Sequence, residues 1–155
     1  MTAPVPPNGE PRDASIEIRR ATAADAAALA DLLGHLGYPA DAVELPARLE
    51  RLRAAGDDAL IALGDGAALG LATVHARAVL HSATPVAQLT ALVVSPQARG
   101  RGVGRALVAV AEQWSRDRGA TRLVVTTALH RAEAPPFYER LGFDHTGRRY
   151  VKRLD

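Results

Sequence analysis

The segment that carries the most chemical information is a run of three glycines at alternate positions: Gly100, Gly102 and Gly104. They follow an apolar stretch ending at Val94, which predicts a buried strand, and they lead into an amphipathic stretch, which predicts a helix. The first N–H groups of a helix lack internal partners, and the helix dipole makes that end positive. Because glycines leave these amides uncovered, the spacing predicts a phosphate site, with a pyrophosphate as the best-suited ligand.

Other glycine-loop patterns fit this segment less well. A dinucleotide-binding loop reads G-x-G-x-x-G, whereas Arg105 stands where the third glycine of that pattern would fall. A Walker loop needs Gly-Lys followed by Ser or Thr, a combination that the chain lacks. A simple flexible connection between strand and helix stays open as the alternative, although one glycine would be enough for it.

Composition narrows the classes of function. The chain of 155 residues has no cysteine, which excludes disulfides, thiolate zinc sites and a cysteine nucleophile. The net charge is only +2 and aromatic residues make up 4%, so no nucleic-acid-binding surface is expected. No His, Asp and Glu cluster has metal-ligand spacing, so no metal is implied. No apolar run approaches the ~18 residues of a membrane span, and no signal peptide is recognisable, which predicts a cytoplasmic protein.

The elements that must position the loop form one predicted α/β domain. Residues 1–14 are rich in proline and predict a disordered tail, and residues 15–155 predict a single domain. The expected elements are a strand at Ile16–Ile18, helices after Thr22 and Asp41, strands at Ala59–Leu63, Ala67–Ala76 and Ala83–Val94, a helix at Gly102–Gly119, a strand at Leu123–Val125, a helix from Pro135 to Leu141 and a strand at Gly147–Leu154.

Two segments together resemble the GNAT superfamily of acetyltransferases. The run from Arg99 to Gly104 matches its (Arg/Gln)-x-x-Gly-x-(Gly/Ala) signature, and the run from Phe137 to Phe143 resembles its second hallmark, a helix-to-strand segment. The resemblance covers nearly all of the chain from Ile16 to Leu154. It implies a mixed, mostly antiparallel twisted sheet of six to seven strands, flanked by about four helices and splayed open after the strand that ends at Val94.

The resemblance implies acetyl-CoA as the co-substrate, held in the opening of the sheet. Main-chain groups of the strand would pair with the pantetheine arm as an added strand does, and the loop amides would hold the pyrophosphate. For one of the assigned residues, His130, a simple role at the helix entry stays equally open. The residues assigned to acetyl-CoA are Leu92, Val93, Val94, Arg99, Gly100, Arg101, Gly102, Val103, Gly104, Arg105, His130 and Phe137.

The resemblance also implies direct attack of an amine on the thioester in a ternary complex. Tyr138 is the candidate general acid, because the family places a tyrosine there near the CoA sulfur and a phenol is protonated at neutral pH. The alternative is a half-buried tyrosine that packs its ring beside Phe137 and Leu141. The backbone N–H of Val93 or Val94 is the candidate oxyanion donor.

No general base is evident in the sequence. Many relatives carry a glutamate on the central strand, where this chain has Gln88 and Thr90. A water relay or an acceptor that arrives partly deprotonated could replace it, and His75, His81 and Glu44 are weak candidates.

The sequence predicts an enzyme that acetylates a primary amine of a small molecule. The first two helices and the loop around Tyr38 are expected to hold the acceptor, with His35, Asp41 and Glu44 as polar candidates. A protein or peptide N-acetyltransferase and a non-catalytic acyl-CoA-binding module stay open as alternatives. Dimers are frequent among relatives, so a homodimer is open too, but no sequence feature marks an interface. The sequence does not identify the amine. It also does not show whether the acyl group is strictly the acetyl group that the resemblance implies.

Overall fold

A computed structural model describes residues 15–127 and 131–155, in which helices cover both faces of an open sheet. The predicted tail, residues 1–14, and His130 lie outside the described residues. None of the helices in the described ranges is long and apolar enough to span a membrane. The elements are β1 (Glu17–Arg20), α1 (Ala26–Leu36), α2 (Leu45–Ala54), β2 (Asp58–Gly64), β3 (Ala67–Arg77), β4 (Val86–Val94), α3 (Val103–Asp117), β5 (Arg122–Val125) and α4 (Ala134–Arg140).

The sheet has the order β1-β2-β3-β4-β5, with antiparallel pairing up to β4 and a parallel β4–β5 pair. This confirms the mixed, mostly antiparallel sheet and the four helices. The number of strands was wrong, because five are present in the described residues rather than six or seven. The predicted β4 also began too early: the strand starts at Val86, directly after Pro85, rather than at Ala83.

The sheet splays open between its last two strands. β5 pairs with β4 only from Val86↔Arg122 to Leu89↔Val125, whereas β3 stays paired with β4 up to Gly70↔Val94. Residues 90–94 of β4 therefore have one edge without a strand partner in the described part of the chain. An unpaired edge of this kind presents N–H and C=O groups to an incoming extended ligand.

The predicted strand from Gly147 to Leu154 was wrong. The structure assigns no helix or strand after Arg140, and Tyr150, Val151 and Leu154 are largely exposed. Alternation puts Tyr150 and Leu154 on one side of the segment and Val151 on the other, each among basic residues. Neither side is consistently apolar, so burial does not favour one face of a strand here. A strand also needs a neighbouring strand to pair with, and a local sequence pattern does not show whether one is present.

Two apolar cores lie on opposite faces of the sheet. On one face α3 packs on the sheet, with Leu107 and Val108 fully buried in a cluster that includes Leu89. On the other face α1 and α2 pack on the sheet, with Leu32 and Ile61 at the centre. Truncation of one such leucine to alanine lowers the free energy of unfolding by about 2–5 kcal/mol. Leu107 therefore holds α3 on the sheet, and Leu32 holds α1.

A glycine in β3 allows α3 to lie close to the strand edge. A Cβ atom on Gly70 would lie 2.8 Å from the carbonyl oxygen of Val93 and 3.0 Å from Cδ1 of Leu107. Any larger residue would have to displace either the backbone of β4 or the helix. Gly70 thus fixes the distance between the N-terminal half of α3 and the open part of β4, a function that the sequence did not reveal.

Candidate active site

The connection from β4 to α3 is anchored in the core. The N–H of Ser95 donates to the carbonyl oxygen of Leu69 at 2.8 Å, and the N–H of Ala98 donates to the carbonyl oxygen of Ser95 at 2.9 Å. The side chain of Ala98 is 1% exposed. The loop is therefore a defined structure on the sheet and not a flexible link, which favours the ligand-binding interpretation over the simple connection.

Two of the three glycines have a backbone conformation that L side chains rarely adopt. Gly100 and Gly102 have φ angles of +77° and +78°, and a Cβ atom on either would meet no other atom within 4 Å. The carbonyl oxygen of Gly102 accepts the N–H of Ala106 at 3.0 Å, so α3 begins there. The first N–H groups of a helix have no acceptor within the helix, and those of α3 directly follow Gly102. These two glycines and this helix end form a site that can accept an anion.

The third glycine also lies close to α4, which the sequence did not predict. Gly104 lies within α3, and a Cβ atom there would lie 3.2 Å from Cζ of Phe137 and 3.5 Å from Cγ2 of Val94. Its missing side chain therefore makes room for Phe137 of α4. Its amide still belongs to the first turn of α3, so it stays a candidate donor to the ligand.

The arginines beside the loop differ in their surroundings. Arg101 lies 3.4 Å from Asp65 in the turn between β2 and β3, and both side chains are exposed. Arg99 and Arg105 are exposed and form no ion pair within the described residues. Arg105 also lines a shallow groove between α3 and α4, together with Arg140. The positive charge of Arg99 and Arg105 is available to an anion at the loop.

Tyr138 is half-buried between two other rings. Its ring centroid lies 5.0 Å from that of Phe137 and 5.4 Å from that of Phe143, in edge-to-face arrangements. Burial raises the pKa of its phenol to about 12, and the nearby charge of Arg131 opposes this only in part. The phenol is therefore fully protonated at neutral pH and can act as a proton donor. The alternative prediction, in which Tyr138 only packs its ring, named Phe137 and Leu141 as its neighbours. The structure shows Phe143 as a second aromatic neighbour besides Phe137.

Arg131 connects the entry of α4 to the end of α1. Its guanidinium donates a hydrogen bond to the carbonyl oxygen of Leu36, 95 residues away in the chain. This hydrogen bond links the start of α4 to the end of α1, close to Tyr138. Sequence reasoning considered the neighbouring His130 and missed Arg131; the adjacent His-Arg pair was the available signal.

One of the three weak base candidates lies on the sheet. His75 in β3 is directly opposite Gln88 in β4. It shares a face with Thr73, whose hydroxyl oxygen is 2.5 Å from that of Thr90, and this is the face covered by α1. The Nδ1 atom of His75 is buried and has no hydrogen-bond partner within the described residues. It is the one of the three candidates that lies on a strand of the sheet.

The other two base candidates lie away from the sheet. Glu44 precedes α2 and forms an ion pair with Arg48 at 2.8 Å. His81 is exposed in the connection between β3 and β4. Neither residue lies on a strand of the sheet.

The predicted acceptor residues cluster at the adjoining ends of α1 and α2. Tyr38 follows the last turn of α1 and is 64% exposed, and His35 lies 3.6 Å from Asp31 on the helix itself. Asp41 accepts the N–H of Val43 at 3.0 Å and caps the turn before α2. The capping bond explains the residue type at Asp41 without a substrate.

Comparison with known proteins identifies the class to which this arrangement of sheet, loop and helix belongs. The profile of the Acetyltransferase (GNAT) family matches residues 27–143, a range that contains the glycine loop and Tyr138. The chain belongs to the GNAT superfamily of N-acetyltransferases and is an acyltransferase. Membership implies acetyl-CoA as the acetyl donor, which fits the open edge of β4 and the uncovered amides after Gly102.

Similar proteins include enzymes that act on small amines. An aminoglycoside N(6')-acetyltransferase type 1 from Stenotrophomonas maltophilia is 37% identical over 136 residues, covering 84% of this chain and 88% of that protein. An aminoalkylphosphonate N-acetyltransferase from Salmonella typhimurium is 34% identical over 94 residues, which is 61% of either chain. The solved structure of the aminoglycoside N-acetyltransferase AAC(6')-Iy in complex with CoA is 25% identical, with a TM-score of 0.81, and covers 94% of this chain and 98% of that chain.

Proposed function

We propose that the protein transfers an acetyl group from acetyl-CoA directly to a primary amine of a small molecule. The observation that carries the proposal is the unpaired edge at residues 90–94 of β4, which leads straight into the loop at Gly100 and Gly102. The extended pantetheine arm can pair with such an edge, and the pyrophosphate that follows the arm can bind to such a loop. The two features follow each other along the chain in the order that one molecule of acetyl-CoA requires.

Binding of acetyl-CoA would depend mainly on the backbone. Main-chain groups of Leu92, Val93 and Val94 would pair with the amides of the pantetheine arm, in the same way as a strand adds to a sheet. The amides from Arg99 to Arg105 would hold the pyrophosphate, with the charges of Arg99 and Arg105 adding attraction. Phe137 would contribute indirectly, because it packs α4 against the first turn of α3.

The proposed reaction needs no covalent intermediate with the enzyme. The neutral amine attacks the thioester carbonyl carbon, a C–N bond forms and the carbonyl oxygen gains negative charge. An N–H of Val93 or Val94 would stabilise that oxygen. The C–S bond then breaks, Tyr138 donates its proton to the departing thiolate, and the amide nitrogen loses its extra proton through water to a general base. The products are the acetylated amine and free coenzyme A, and atoms and charges balance once the base releases its proton to solvent and Tyr138 regains one from solvent.

Removal of the proton from the amine is the step for which the sequence shows no evident general base. We propose that His75 accepts it through water, because its half-buried side chain lies on the face of β3 that it shares with Thr73, whose hydroxyl contacts that of Thr90. Gln88, directly opposite His75, has a neutral side chain and can orient such a water but cannot take a proton.

The acceptor is proposed to be a small polyamine-like or aminated compound rather than a peptide. The names of two relatives, an aminoglycoside and an aminoalkylphosphonate N-acetyltransferase, support small amines. The ends of α1 and α2, with Asp41 and Glu44, offer acidic groups that would attract a cationic acceptor.

An amine panel with acetyl-CoA tests the proposal. Release of the CoA thiol would be followed with aminoglycosides, aminoalkylphosphonates, linear polyamines and a peptide with a free N-terminus, and thermal stabilisation by acetyl-CoA would be measured in parallel. We expect stabilisation by acetyl-CoA and thiol release with at least one small amine. Turnover of the peptide alone would refute the small-molecule acceptor. Stabilisation without turnover of any amine would instead identify an acyl-CoA-binding module.

A further inference from the structure

The end of α1 leaves one of its last carbonyl groups for a distant donor. The carbonyl oxygen of Leu33 accepts the N–H of Tyr38 at 2.9 Å, which closes the end of the helix locally. The last carbonyl groups of a helix have no partner within it, so that of Leu36 needs one from elsewhere. Arg131 supplies it, because its half-buried guanidinium donates a hydrogen bond to the carbonyl oxygen of Leu36. The positive charge also interacts favourably with the negative end of the helix dipole.

The main chain of Arg131 is fixed to α4. Its carbonyl oxygen accepts the N–H of Ala134 at 3.2 Å, in the turn that leads into the helix. The rings of Phe137 and Tyr138 in α4 pack against the core on the α3 face of the sheet, whereas α1 belongs to the core on the other face. Arg131 therefore connects two elements from opposite faces of the sheet, with its backbone at α4 and its side chain at α1.

The two connected elements hold different parts of the proposed reaction. Tyr38 follows the end of α1 in the loop that is expected to hold the acceptor, and Tyr138 in α4 is the proposed general acid. Burial raises the pKa of the Tyr138 phenol, and the charge of Arg131 is close enough to oppose that rise. The reacting nitrogen and carbonyl carbon must approach to about 3–3.5 Å, so a small displacement of either element would slow the reaction.

We infer that Arg131 is a positioning residue for the acetyl transfer: by holding the end of α1 to the start of α4, it sets the distance between the acceptor loop and the phenol of Tyr138. The inference rests on the proposed function, which assigns the acceptor to α1 and the acid to α4. Arg131 acts through the carbonyl of Leu36 and moves no proton itself. An arginine suits this role, because its guanidinium is always charged and offers several N–H donors.

Hydrogen–deuterium exchange without any substrate tests the connection itself. In Arg131→Ala, the amides of Gly37 and Tyr38 should exchange about tenfold faster than in the wild type, because the end of α1 opens more easily. The amides of Gly119 and Ala120 make the corresponding hydrogen bonds at the end of α3, so they are the internal control and should not change. Equal exchange at the end of α1 in the wild type and the variant would overturn the inference.

Steady-state kinetics tests the positioning, with the amine of the panel that turns over fastest. We expect Arg131→Ala to raise the KM of the amine about tenfold and to lower kcat/KM about a hundredfold, while the Kd of acetyl-CoA stays within about twofold. Arg131→Lys should recover part of the loss, because its ammonium group can donate to the same carbonyl oxygen. A protein that is only destabilised would not separate the two substrates in this way. An equal loss of affinity for the amine and for acetyl-CoA would therefore overturn the inference.

Arg118→Ala is the matched control variant. The guanidinium of Arg118 also donates to a carbonyl oxygen near the end of a helix, that of Trp114 in α3 at 3.2 Å, but α3 has no assigned contact with the acceptor. Its loss removes the same kind of hydrogen bond and should leave the KM of the amine unchanged. A rise in this KM as large as that in Arg131→Ala would contradict the inference. If the wild type turns over no amine, the proposed function fails, and exchange at the end of α1 still decides whether Arg131 holds it.

Discussion

The ring of Phe137 in α4 lies against Gly104 in the first turn of α3, where a Cβ atom would come within 3.2 Å of its Cζ atom. The same ring is 5.0 Å from that of Tyr138. One small residue in α3 therefore sets the position of the proposed general acid relative to the proposed diphosphate loop. The two sequence segments that resemble the family hallmarks are joined by this contact.

The contact predicts that the effect of Gly104→Ala depends on residue 137. In a helix, alanine is favoured over glycine by about 1 kcal/mol, but here the added methyl would press on the Phe137 ring. In the wild-type background we expect no gain in the free energy of unfolding, or a loss. In a Phe137→Ala background the same substitution should stabilise by about 0.5–1 kcal/mol. Urea unfolding of the four variants of the cycle measures this, and strictly additive effects would contradict the packing account.

Replacement of Tyr138 by phenylalanine tests its role as a general acid. The substitution removes the phenol but keeps the ring between Phe137 and Phe143, so acetyl-CoA affinity should stay nearly intact. We expect kcat to fall by about 10²–10⁴, the usual contribution of general acid–base catalysis. Tyr150→Phe, at an exposed tyrosine, is the matched control and should leave kcat unchanged. If kcat is unaffected by Tyr138→Phe, Tyr138 acts only in packing.

The raised pKa of Tyr138 makes a prediction about pH dependence. An exposed phenol would ionise near its ordinary pKa of 10.0, but burial raises the pKa of Tyr138 to about 12. The proton that it donates is therefore retained up to at least pH 10, and its ionisation should cause no decline of kcat between pH 7 and pH 10. The pH profile of kcat for the wild type and for Tyr138→Phe measures this. A decline centred below pH 10 that disappears in Tyr138→Phe would contradict the buried, protonated phenol.

Arg99→Ala tests the electrostatic part of cofactor binding. If the guanidinium faces the phosphates, its loss should raise the Kd of CoA by about tenfold in 50 mM salt, and the effect should shrink towards 1 M salt, where the Debye length falls to about 3 Å. Arg116→Ala, an exposed arginine at the other end of α3, serves as the control with no expected effect. A loss of affinity that does not depend on salt would indicate damage to the loop structure instead.

The sequence predicted the parts of the fold that depend on local patterns. The period of apolar residues predicted α3 and the central strands to within a few residues. Gly37, with a φ angle of +97°, ends α1 as glycine commonly ends a helix. The loop was also predictable, because Gly100 and Gly102 adopt left-handed backbone conformations, which glycine adopts more readily than other residues.

The rest depended on contacts between distant parts of the chain. The close approach at Gly70 needs Leu107 of α3, and the hydrogen bond of Arg131 needs Leu36, so no local pattern reports either. The contact of Gly104 with Phe137 was missed as well, because Phe137 lies 33 positions later in the chain. The segment after Phe143 shows the same limit: a strand was predicted from Gly147 to Leu154, but the structure assigns none there, because a strand needs a partner edge that the local sequence does not specify.

The most direct test of the account is calorimetry of CoA binding to the wild type, Gly102→Glu and Gly119→Glu. Both glycines have nearly equal left-handed φ angles, +78° and +80°, and a Cβ atom at either would meet nothing within 4 Å, so the two variants carry the same backbone strain. Only Gly102 lies at the proposed diphosphate site; Gly119 follows the opposite end of α3. The account predicts saturable heat for the wild type and Gly119→Glu, and at least a hundredfold weaker binding for Gly102→Glu. Equal binding by the two variants, or no heat with the wild type, would contradict it.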